Sequence, residues 1–136
     1  MKFMVLSRDE IRHFQIEEKH IVISIRDPNS KRARLPKLYS RLAILDLEFS
    51  DLDEHLPSES FYILFTKEDA KKILNFYNKY KDKIEIVVCQ CEAGISRSAG
   101  VAAALSKIYN EEDEIYFKRF IPNKRVYRTI LEEYYK

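Results

Sequence analysis

The chain has 136 residues, of which 46% are hydrophobic and 34% charged, and a net charge of +2. That balance describes one globular domain, argues against a disordered chain, and supplies no positive excess to hold nucleic acid. The apolar run at the start, Phe3 to Leu6, is too short for a signal peptide, and no stretch of about 18 apolar residues offers a membrane span.

A soluble, cytoplasmic protein is the expectation. The two cysteines, Cys89 and Cys91, are one residue apart. So close a pair rarely forms a disulfide, and one Cys-x-Cys is short of the four ligands zinc wants. Free thiols in a reducing compartment are the simpler assumption. His13, His20 and His55 have no spacing that suggests a metal.

In chain order, Phe3–Leu6 and His20–Ile25 are apolar and β-branched and predict strands. Residues 26–36 carry Pro28 and Pro36 around polar turn residues and predict a loop. Its basic stretch, Lys31 to Arg34, reads as solvated. Leu42–Phe49 alternates toward its end and predicts a third strand. Ser50–Ser60 is polar and acidic, contains Pro57, and predicts a loop. Thr66 with Glu68 and Asp69 marks a helix start that runs to about Lys81, with Ala70, Ile73, Leu74 and Tyr77 on one stripe.

Ile84–Cys89 predicts a central strand, and Ser96–Tyr109 an Ala-rich helix. Two shorter helices follow, near Glu112–Phe120 and Arg125–Tyr135, split by Pro122. Tyr77, Tyr80, Tyr127 and Tyr134 fall near helical spacing and predict core and rim. The whole describes a single α/β domain over residues 1–136. It has a central, mostly parallel sheet of four to five strands flanked by helices. The strand–loop–helix unit over residues 84–109 places a loop at the carboxyl end of a strand, where ligands sit in such sheets.

That loop holds the chemistry. The chain has two glycines, Gly94 and Gly100, and both lie within Cys91-Glu-Ala-Gly-Ile-Ser-Arg-Ser-Ala-Gly100. Gly94 suits a positive φ or a close backbone approach, and Gly100 a tight helix contact. A short loop between strand and helix can turn its N–H groups inward, and the helix dipole adds positive potential; together they make an anion site. Arg97, at the helix start, can grip two phosphate oxygens with its planar fork. Cys91, at the base of this positive concavity, is placed to react as a thiolate nucleophile. Ser98 can donate a hydrogen bond to that sulfur. The bland alternative is a buried cysteine at a strand end with an arginine on a surface helix. Cys89 reads as core.

Cys91-x5-Arg97-Ser98 after Val87-Val88 resembles the signature of the cysteine-dependent protein tyrosine phosphatase superfamily. The form Cys-Glu-Ala-Gly-Ile-Ser-Arg-Ser is most similar to its small dual-specificity branch. The resemblance implies a two-step phosphomonoester hydrolysis through a phosphocysteine on Cys91, with no metal or other cofactor. The backbone N–H groups of Glu92, Ala93, Gly94, Ile95, Ser96 and Arg97 would hold the phosphate oxygens. The resemblance also implies an Asp general acid on a separate loop. Asp51 matches best, Asp53 is the runner-up, and Asp46 falls on the strand itself.

One departure is Gln90, where this superfamily usually has His; Gln can hydrogen-bond but carries no charge. Arg97 is the only cation in the loop, so the expected substrate is a phosphorylated protein or a small phosphomonoester. A phosphate or sulfate ion would fit the loop, and neither nucleic acid nor membrane is expected as a partner. Competing readings are a phosphatase for a nucleotide, lipid or RNA phosphate, and a pseudophosphatase that binds without turnover; a rhodanese-type sulfurtransferase ranks low. Arg125 and Arg128 suit the pocket rim or a surface helix equally.

Overall fold

The computed structural model describes residues 1–53 and 62–136. Among these, strands β1 (Lys2–Leu6), β2 (His20–Arg26), β3 (Arg41–Glu48) and β4 (Ile86–Gln90) form one sheet in the order β1-β4-β2-β3. Every pairing is parallel. The expected architecture is therefore present, at the lower of the two strand counts and with no antiparallel pair among the described residues. β2 and β4 are interior, and their near-continuous Ile, Val and Cys sequence is what burial on both faces demands. The loop expected over Ser50–Ser60 is described only as far as Asp53; Pro57 and His55 lie outside the described residues.

Helices α2 (Lys67–Tyr80), α3 (Arg97–Asn110) and α5 (Lys124–Tyr135) bury one face of the sheet. Ile21, Ile23, Val87 and Cys89 from the strands meet Val101 and Leu105 of α3, Ile73 of α2 and Ile130 of α5. The short helix α4 (Glu114–Arg119) links α3 to α5. The opposite face packs Val22, Ile86 and Val88 under Ile11 of α1 (Arg8–Ile11) and under Ala33 and Leu35 of the long loop after β2. That loop is therefore not simply solvated: Ala33 is buried, and Arg32 reaches Asp46 of β3 at 3.4 Å.

Local chemistry explains the boundaries. Thr66 caps α2 in a reciprocal capping box with Asp69, as its sequence predicts. Ser7 and Glu10 build the same device for α1, a one-turn helix too short to leave a periodic signal. Glu111 adopts a left-handed φ of 58° and ends α3, so the next helix starts at Glu114 and not Glu112. A 3-10 turn at Lys81–Lys83 delays β4 to Ile86.

Because all the strands are parallel, their carboxyl ends share one edge of the sheet. The residues that follow them gather there: Ser7 after β1, Asp27 after β2, Phe49 to Asp51 after β3, and Cys91 after β4.

Candidate active site

The loop from Cys91 to Ser96 is tied down through its carbonyls. Gln90 Nε2 donates to Cys91 O at 3.0 Å. The backbone N–H of Arg8 binds Glu92 O at 3.1 Å, and that of Ile121 binds Ile95 O at 3.1 Å. Ser96 O accepts from Gly100 N at 2.8 Å and from Asn123 N at 2.9 Å. The N–H groups from Glu92 to Arg97, by contrast, find no protein acceptor among the described residues. With four carbonyls held and its N–H groups free, the loop has the donor pattern that an anion would satisfy. Gly94 makes the turn with φ of +68°, and a Cβ there would lie 2.5 Å from Ser7 N. Gly100 meets α5, where a Cβ would lie 2.9 Å from Asn123 O.

Cys91 is buried at the strand end, and its Sγ lies 3.0 Å from Ser98 Oγ. Arg97 is not on a surface helix: it is 4% exposed. Its Nη1 donates to Phe49 O at 2.9 Å and pairs with Asp27 Oδ1 at 2.8 Å, whereas its buried Nε has no partner. An unpaired buried donor costs about 1–3 kcal/mol, a penalty that a bound anion would remove. Gln90 is wholly buried; it accepts from Ser24 Oγ at 2.5 Å while holding Cys91 O, so it links β2 to the base of the loop. Cys89 is core, and burial first, then the neighbouring Cys91, pushes its thiol up, away from thiolate chemistry. Both cysteines are free thiols.

The two candidate acids occupy different environments. Asp51 Oδ1 accepts from Ser96 Oγ at 2.7 Å and from Asn123 Nδ2 at 2.9 Å, which puts its carboxylate against the Cys91–Arg97 loop. Asp53 Oδ1 instead accepts from Lys124 N at 2.9 Å and serves the first turn of α5. Asp46 is on β3, paired with Arg26 at 3.1 Å. Arg125 Nε donates to Phe65 O at 2.9 Å, which ties its side chain to the residue just before the cap of α2.

Two residues here carried no sequence signal strong enough to single them out. Asp27 is an Asp before a Pro in an expected turn, and Asn123 follows Pro122 before a helix. The usable hint for Asp27 was its place immediately after a strand of a parallel sheet, at the ligand-binding edge.

No family model matches the chain, and no curated protein matches it. Solved structures do. PTPMT1 in complex with PI(5)P superposes with a TM-score of 0.60 at 15% identity, over 98% of this chain and 90% of that one. Human DUSP28 matches with a TM-score of 0.56 at 13% identity, over 96% and 90% of the two chains. The human tyrosine phosphatase-like serine/threonine/tyrosine-interacting protein gives 0.56 at 18% identity, over 87% and 77%.

The chain has the fold of the dual-specificity phosphatases. At these identities the likeness concerns architecture, and what the loop does rests on its own atoms.

Proposed function

We propose that the chain hydrolyses phosphate monoesters through a phosphocysteine on Cys91. The observation that carries this reading is the loop itself. Among the described residues its N–H groups from Glu92 to Arg97 are unpartnered, and it wraps a buried arginine with a free Nε, beside a cysteine that faces Ser98. The phosphate oxygens take the backbone N–H groups and the guanidinium. Cys91 Sγ, as the thiolate, attacks phosphorus, and the P–O bond to the leaving group breaks. Asp51 supplies the proton that the leaving oxygen needs. Its Oδ1 is anchored by Ser96 and Asn123, which leaves Oδ2 for proton transfer. Water then attacks the phosphocysteine, Asp51 takes its proton, and Ser98 stabilises the departing thiolate by hydrogen bonding.

The substrate is a phosphorylated side chain of a protein, tyrosine or serine/threonine. Arg97 is the sole cation within the loop and is already paired with Asp27, a setting poor in charge for a polyphosphorylated headgroup. A phosphoinositide is the second reading, favoured by the likeness to the PI(5)P complex of PTPMT1.

Hydrolysis of an aryl phosphate by wild type, Cys91→Ser and Asp51→Ala tests the assignment. Cys91→Ser is expected to lose turnover while still binding phosphate; turnover equal to wild type sinks the nucleophile. Asp51→Ala is expected to lose on the order of 100-fold, most with poor leaving groups. A flat leaving-group response moves the acid elsewhere.

A further inference from the structure

Asp27 has no place in the reaction scheme above, yet it holds the arginine on which that scheme depends. Nη1 of Arg97 carries two hydrogens and meets two acceptors, Phe49 O at 2.9 Å and Asp27 Oδ1 at 2.8 Å. That nitrogen is saturated by the protein. Nε is buried without a partner, and Nη2 makes no hydrogen bond among the described residues. The edge left open is the Nε/Nη2 fork, which matches two oxygens of one phosphate.

The chain is shaped to hold Asp27 where it stands. β2 lies beside β4 in parallel, so Asp27 emerges next to Cys91 at the carboxyl edge. Asn29 turns the backbone with φ of 64°, and Ser30 donates to Asp27 O through N at 3.1 Å and through Oγ at 2.7 Å. Arg26 clamps the same turn, its Nη1 donating to Ser30 O at 2.6 Å.

We propose that Asp27 is a positioning residue for oxyanion capture. Its carboxylate and the Phe49 carbonyl hold Nη1, and so fix the plane in which Arg97 presents its Nε/Nη2 fork to the phosphate. This rests on the phosphatase reading of the same loop. Asp27 has a second, opposing effect, because its negative charge stands beside the site of an incoming dianion. Orientation favours binding and charge opposes it, so removal of the side chain alone mixes the two.

A pair of variants separates them. Asp27→Asn and Asp27→Ala lose the same charge, but only Asn keeps an oxygen that can accept from Nη1. Inorganic phosphate is titrated calorimetrically into wild type, Asp27→Asn and Asp27→Ala, and the KM and kcat of each are measured with an aryl phosphate. Asp27→Ala is expected to bind phosphate about tenfold more weakly than Asp27→Asn, the loss of one charge-assisted contact, with KM rising in step. Thermal unfolding checks that both variants fold. If the Ala variant does not, Asp27→Ser, whose hydroxyl is too short to reach the guanidinium, replaces it with the same expectation. Equal phosphate affinity in Asp27→Asn and the short variant overturns the proposal while leaving the phosphatase reading intact. Failure of the wild type to bind phosphate overturns that reading, and this proposal with it.

Discussion

Gly94 concentrates the conformational demand of the site in one residue. Its φ of +68° is open to Gly at little cost, and an L side chain there loses about 1–2 kcal/mol from conformation alone. The added carbon would also lie 2.5 Å from Ser7 N and 2.7 Å from Leu6 C, both backbone atoms of the β1–α1 junction. Gly94→Ala is therefore expected to lower stability by at least about 2 kcal/mol and to weaken phosphate binding, measured by urea unfolding and phosphate titration. This residue was legible in the sequence, because a scarce glycine between a cysteine and an arginine marks a turn that a side chain would obstruct. The partners of Gln90 were not. Its own hydrogen-bonding capacity is evident from its type, but Ser24 lies 66 residues away along the chain.

The 121–123 segment and α5 act as the back wall of the loop. Asn123 is buried and makes four connections: its N–H holds Ser96 O, its Oδ1 caps Val126 N at 3.0 Å, and its Nδ2 reaches Asp51 and Leu52 O. One residue thus joins the Cys91–Arg97 loop through its backbone N–H, and the helix cap and the candidate acid through its side chain. Asn123→Ala is expected to cost about 1–2 kcal/mol in unfolding experiments through the lost cap and the buried groups left unpaired. Aryl phosphates with poor leaving groups should suffer more in this variant than those with good ones, because Asp51 loses an anchor. The helices themselves were legible from caps and apolar spacing. Their ends moved by a few residues where Glu111 and the Lys81–Lys83 turn redirected the backbone.

At the scale of the whole molecule, stability depends on pH through groups remote from the site. His20 begins β2, at the amino edge of the sheet, opposite Cys91. It is buried, with Nδ1 donating to Glu18 O at 2.9 Å and Nε2 unpartnered. Burial first, and Arg41 beside it, hold its pKa below the usual 6.5 against the opposing pull of Glu18. The unfolded chain therefore takes up the proton first, and stability present above pH 6.5 is lost as pH falls below that value. His20→Phe, which keeps a ring against Phe14, is expected to flatten this acid limb in urea unfolding across pH about 5 to about 7. On the alkaline side burial pushes Tyr109 up to about 12, so its contribution is whole below pH 10 and is lost as pH rises toward 12.

What is local in the chain can be read from the order of its residues. Strand, loop and helix follow one another over residues 84–109, and cysteine, glycine, arginine and serine sit at spacings that resemble a phosphate-binding turn. Neighbouring residues share one backbone path, so their type and order suffice. Which distant residues complete the site depends on how the strands assemble. The order β1-β4-β2-β3 brings the ends of strands far apart in sequence to one edge, and no local pattern encodes that order. It put Asp27 on Arg97 across 70 residues, set Asp51 rather than Asp53 against the loop through Ser96 and Asn123, and made Gln90 the brace between two strands.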